Sequence, residues 1–129
     1  MMCKDEIISQ LNELAENVNY YTGIGWWHFK YKGYQMVYIP NNDSLNTIRI
    51  CIPHFDSAMV YGQELLTTAI NETNREVKYV KVVILNNGSI SINYDHKFNE
   101  QNELQSILLH ILKTLCFAAE HLKSKLSEK

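Results

Sequence analysis

Two stretches of the chain have strand composition around a glycine: 26–39 is dense in aromatic and β-branched residues about Gly33, and 80–94 alternates apolar residues with others on either side of Gly88. Alternation is the period of a strand with one buried face, and a central glycine supplies the positive φ that a tight reversal needs. Each stretch therefore predicts an antiparallel hairpin. Two hairpins in one short chain demand a sheet, and a sheet with an oily face demands something to cover it.

The register of each hairpin follows from its turn. In the first, a two-residue turn would force positive φ on Lys32, so a three-residue loop of Tyr31, Lys32 and Gly33 is expected, with the glycine left-handed. Lys30 then faces Tyr34, His28 faces Met36 and Trp26 faces Tyr38, while Trp27, Phe29, Gln35, Val37 and Ile39 share the other side as core. In the second, Val80, Val82 and Ile84 join Ile90, Ile92 and Tyr94 in one hydrophobic face only if Ile84 lies opposite Ile90. That register requires a three-residue loop of Asn86, Asn87 and Gly88, a type I turn with a glycine bulge.

Helical periodicity fills the remainder. Ile7, Ile8, Leu11, Leu14, Ala15 and Val18 recur at three and four and predict a helix over 5–18. After a turn at 40–43, the run 46–53 alternates with Ile48, Ile50 and Ile52 on one side and Thr47, Arg49 and Cys51 on the other, which predicts a third strand. Asp56 or Ser57 can cap a second helix that reaches about Asn74. The strongest stripe, from Leu104 through Leu108, Ile111, Leu112, Leu115 and Ala119 to Leu122, predicts a long helix over 100–125. The order is α-β-β-β-α-β-β-α, an α+β domain spanning residues 1–129 with one five-stranded antiparallel sheet packed against helices. At 129 residues a single core suffices.

Charge excludes some partners. A formal net charge of -2 gives no general field to attract phosphate backbones or anionic lipid, so neither nucleic acid nor a membrane is expected as partner. Cys3, Cys51 and Cys116 are odd in number and far apart, which fits neither a disulfide framework nor a zinc spacing. The N-terminus meets acids before an apolar leader can start, and no run approaches the ~20 apolar residues of a span, so a cytoplasmic location is expected. The Asn-x-Ser/Thr triplets at Asn42, Asn71 and Asn87 are then chance matches.

Catalysis finds little footing. Asp95 and His96 are strand neighbours that point to opposite faces, and His54 with Asp56 lies in a Pro-bounded loop. His110 and His121 sit three helical turns apart, ~16 Å, too far to share a metal. Cys116 lies beside an apolar stripe and reads as a small hydrophobe. No phosphate loop, nucleophile elbow or zinc helix motif is present, so neither enzyme activity nor a cofactor is expected.

The expected interaction surface is the sheet side bearing Trp26, His28, Tyr34, Met36 and Tyr38, beside Arg49, Cys51, Lys81 and Val83. Such residues offer large contact area with a polar or adaptable end, which suits an interface. The competing reading makes this side a second small core under the middle helix.

The stretch Ala69-Ile70-Asn71-Glu72-Thr73-Asn74-Arg75-Glu76, followed by Val77 to Asn86 and Asn87-Gly88-Ser89-Ile90, resembles the YbjN-like group of bacterial proteins, often called sensory transduction regulators. That group shares the fold of type III secretion chaperones. The resemblance implies a bacterial source, homodimers or higher assemblies, no cofactor, and either escort of a client polypeptide or a regulatory role. Asn71 and Asn74 suit the end of a helix, where their side chains can satisfy free backbone groups, and Gly88 supplies the bulge. The functional expectation is thus a homodimeric polypeptide-binding protein, with a sensor that holds a small apolar ligand between sheet and helix as the alternative.

Overall fold

A computed structural model describes residues 4–40, 47–97 and 104–127. The elements run α1 (Lys4–Leu14), β1 (Glu16–Tyr21), β2 (Trp26–Tyr31), β3 (Tyr34–Ile39), β4 (Thr47–Ser57), a short 3-10 turn (Ala58–Val60), α2 (Gln63–Glu76), β5 (Val80–Ile84), β6 (Ser89–Lys97) and α3 (Leu104–Leu126). The strands form one antiparallel sheet in the order β1-β2-β3-β4-β6-β5. The sheet thus has six strands, not the expected five.

The extra strand is β1. The helical stripe expected to reach Val18 stops at Leu14, and Asn17 takes φ 56°, a left-handed turn that asparagine tolerates better than most residues. The chain then enters the sheet edge through a bulge between Glu16 and Asn19. Tyr20 and Tyr21 gain ring contacts there that a continued helix would not give them: Tyr20 packs on Trp27 with centroids 5.0 Å apart, and Tyr21 stacks on His28 at 3.9 Å.

The first hairpin forms, but one residue out of the expected phase. Tyr31 pairs with Tyr34, Phe29 with Met36 and Trp27 with Tyr38, so the turn is the two-residue Lys32-Gly33, with φ 50° and 86°. An L-residue in this conformation costs about 1–2 kcal/mol. The slip, however, turns Met36 and Tyr38 toward the helices beside Phe29 and Tyr31, and burying one large apolar side chain is worth ~1.5–3 kcal/mol. Burial outweighs the strain at Lys32. Because a slip of one exchanges the two sides of a strand, Gln35, Val37 and Ile39 leave the helix side, contrary to expectation.

The second hairpin has the expected register, with Ile84 opposite Ile90 and Gly88 at φ 88° closing a three-residue loop. Ile48, Ile50 and Ile52 also face the helices as expected. The strand carrying them continues through Ser57, with a bulge between Ile52 and Asp56 where Pro53 offers no N–H to the ladder. Ser57 accordingly caps the 3-10 turn, accepting from Met59 N at 3.3 Å, and α2 starts later, after Gly62. The expected turn at 41–43 and the first residues of the expected last helix lie outside the described residues.

All three helices contribute to one buried cluster with one sheet face. Leu108, Ile111, Leu112 and Leu115 of α3 have no exposed surface, Ile7 and Leu11 of α1 join from one flank, and Leu66 and Ala69 of α2 from the other. Among the described residues no helix is long and apolar enough to cross a membrane.

Candidate functional site on the helix-free face

With α1, α2 and α3 on one side, the pleat presents a second set of residues to the other. One row across the strands is His28, Val37, Cys51, Asn93 and Lys81; the next is Ile39, Arg49 and Asp95. Of the expected interface residues, Trp26, His28, Arg49 and Val83 lie on this side. Tyr34, Met36 and Tyr38 do not. Met36 and Tyr38 are buried in the helix-packed cluster, and the half-buried Tyr34 donates its hydroxyl to the Glu120 carboxylate on α3. Burial first, and this hydrogen bond second, push the Tyr34 phenol well above its ordinary range. The correction has one cause, the phase of the first hairpin. Nor does the middle helix cover the helix-free side, since its buried residues belong to the same cluster as those of α1 and α3.

Val37 and Cys51 are 1% and 4% exposed although they lie outside the helix-packed cluster. Val37 is set in a cavity of about 180 Å³ whose lining includes Ile24, Trp26, His28, Gln35, Pro53 and His54. The rim is built locally. Gly25 takes φ 73° and donates its N–H to Tyr21 O at 2.8 Å, a reversal that leaves Ile24 more than half exposed at the mouth. Pro53 and His54 come from the bulge of β4, a distortion that re-aims side chains next to a site.

The electrostatics favour a neutral occupant. His28 Nε2 is buried and has no hydrogen-bond partner among the described residues. Burial, and then the proximity of His54, lower the His28 pKa, which favours the neutral ring. His54 Nδ1 lies 3.0 Å from Ser89 Oγ. On one flank Arg49 holds Asp95 through two bonds of 2.6 and 2.9 Å, so that these exposed charges satisfy each other. Burial pushes the Cys51 thiol up to about 12, which leaves it a poor nucleophile.

Sequence reasoning missed Ile24, Val37, Gln35, Pro53 and His54 as members of this site. The one available signal was Ile24 itself, a large apolar residue between Gly23 and Gly25 where a turn must be solvated. Other polar groups hold the frame. His121 bridges two helices, with Nδ1 3.1 Å from Thr73 Oγ1 and Nε2 2.6 Å from Glu76 Oε1. Thr73 has no exposed surface, so this trio clamps α2 to α3 and cannot present a nucleophile. Among the described residues no three His, Cys, Asp or Glu side chains converge as a metal site would require.

Two of the three motif residues, Asn74 and Gly88, bond to backbone, whereas Asn71 lies within α2 and not at its end. Asn71 is exposed on α2, Gly88 donates to Leu85 O at 2.9 Å and accepts from Ala58 N at 2.8 Å, and Asn74 reaches the backbone of Val82. No family model matches the chain, and no curated protein matches it.

Proposed function

We propose that this chain is a non-enzymatic polypeptide-binding protein, chaperone-like or regulatory, that forms a homodimer through the helix-free face of its sheet. The observation that carries this reading is the one-sidedness of the sheet. Three helices bury one face, while the other sets Trp26 and Ile24 around an apolar cavity floored by Val37, with Val83 further across the sheet. A cavity of ~150 Å³ holds a benzene ring, so a space of this size suits one ring or one branched side chain of a partner. An aromatic anchor beside a pocket, flanked by a satisfied ion pair, is the arrangement that concentrates binding energy in a protein interface. Part of the support is the YbjN-like resemblance of the 69–90 stretch, which implies a type III secretion chaperone-like fold and homodimers.

Sedimentation equilibrium tests this directly. The wild type should sediment as a dimer, and Trp26→Ser combined with Ile24→Ser should shift it to monomer with unchanged circular dichroism. A wild type that stays monomeric at high concentration, or a dimer indifferent to the double change, would discard the reading.

A second reading has its own observation, the His28 ring in the lining of the cavity, its pKa lowered by burial. It makes the cavity a sensor site for a small, neutral, largely apolar ligand, held on the helix-free face rather than between sheet and helix. Native mass spectrometry of freshly purified protein should then show an adduct that Trp26→Ser removes.

A further inference from the structure

β5 ends the sheet on one side, and an end strand offers unpaired N–H and C=O groups to any other strand. Which groups these are follows from the ladder. Leu85 N donates to Ser89 O at 2.8 Å, and bonding alternates along an antiparallel strand, so Lys81, Val83 and Leu85 turn their backbone groups to β6. Val80, Val82 and Ile84 turn theirs away from the sheet.

Val82 is the middle of the three, and both of its outward groups are taken. Its N–H donates to Asn74 Oδ1 at 2.6 Å, and its C=O accepts from Asn74 Nδ2 at 3.2 Å. One side-chain amide thus occupies the place where the peptide of a neighbouring strand would sit. Asn74 stands near the end of α2, and the chain returns at once through Val77 to Tyr79, where φ 73° turns it into β5. Only a short amide carries the donor and the acceptor at this reach.

The edge it closes is otherwise adhesive. Met59 and Val60 are 85% and 70% exposed, Ile84 and Leu85 are exposed as well, and Met59, Ile84 and Leu85 line one open groove with Leu66 and Gly88. A two-fold pairing of β5 with β5 of a second copy, centred on Val82, would use the same N–H and C=O that Asn74 holds, because at the axis a residue exchanges both bonds with itself.

We infer that Asn74 keeps the β5 edge closed to strand addition, and that loss of its amide lets two copies of this chain pair through β5. The inference does not rest on the helix-free face. It is therefore tested in the Trp26→Ser, Ile24→Ser background, where association through that face does not contribute. Adding Asn74→Ala should strengthen self-association by about tenfold or more in sedimentation equilibrium, the equivalent of ~1.4 kcal/mol. Hydrogen exchange at the Val82 amide should be fast in dilute solution and slow in the associated form. Ile84→Lys, which places a charge on the edge, should reverse the association. A folded Asn74→Ala variant that associates no more than its parent would overturn the inference, as would association that Ile84→Lys leaves intact. If Asn74→Ala does not fold, Asn74→Asp keeps the acceptor for Val82 N–H but loses the donor to its C=O. A folded Asn74→Asp variant should then associate more than the parent and respond to Ile84→Lys; parent-like behaviour counts against the stopper role.

Discussion

Replacing Met36 by alanine tests the pleat on which both the core and the site depend. Met36 is 1% exposed, pairs with Phe29 and belongs to the cluster under the helices. Truncating a buried methionine to alanine costs about 2–5 kcal/mol, the transfer of the lost atoms plus the cavity left behind. A domain of this size has roughly 5–15 kcal/mol in total, so the variant should fold but sit markedly closer to its limit. With a mid-range urea slope of ~2 kcal/mol/M, the midpoint should fall by roughly 1–2.5 M. The neighbour Gln35 is exposed and points the other way, so Gln35→Ala should move stability by no more than about 0.5 kcal/mol. In the three-residue-loop register these roles are exchanged. A Met36→Ala midpoint within error of wild type, or a Gln35→Ala variant that loses as much, would show that the hairpin is not paired as described.

Three further outcomes follow from single features. Lys32 sits at φ 50° without a side chain suited to it, so Lys32→Asn should raise stability by ~0.5–1 kcal/mol, whereas Gly33→Ala at φ 86° should lower it, both read by urea titration. The His121 hydrogen bond holds the Glu76 carboxyl below its ordinary 4.5. Its contribution is therefore complete above pH 4.5 and disappears as pH falls through the lower folded value, so Glu76→Gln should flatten the acid side of the stability–pH curve without steepening the neutral region. Cys51, buried with its thiol raised to about 12, should resist a disulfide exchange reagent at pH 8 until the protein unfolds, as peptide mass spectrometry after labelling would show.

The two hairpins show what a sequence of this kind makes legible. Around Gly88, hydrophobic pairing and turn chemistry agree: opposing Ile84 to Ile90 demands the three-residue loop that a glycine at its third position also favours. Around Gly33 they conflict. Turn chemistry at Lys32 favours one register and burial of Met36 and Tyr38 favours another, and aromatic residues on both sides of the strand hide the second preference from an alternation count. The strain is a local quantity, readable from one dipeptide, but burial depends on where the helices lie. β1 was hidden for a related reason. Val18 continues the helical stripe, and only the pairing of Tyr20 and Tyr21 with Trp27 and Trp26 makes the strand worth more than another helical turn.

The same conflict governs how much of the site could be read. Trp26, His28, Arg49 and Val83 fall on the helix-free face in the expected hairpin phase as in the observed one. His28 and Trp26 share a side with each other in either register, and Arg49 and Val83 are fixed by strands whose isoleucines mark the core. What the phase decides is the third strand in the row, whether Tyr34, Met36 and Tyr38 or Gln35, Val37 and Ile39 complete it. The observed choice replaces a flat aromatic platform with a small aliphatic floor at Val37, walled by the larger Trp26 and His28. A platform would bind by stacking and tolerate many partners, whereas a floored cavity selects for one side chain of suitable shape. A single residue of register at Lys32-Gly33 therefore sets the selectivity proposed for this surface, and shifting the hairpin should change which partner it accepts before it abolishes binding.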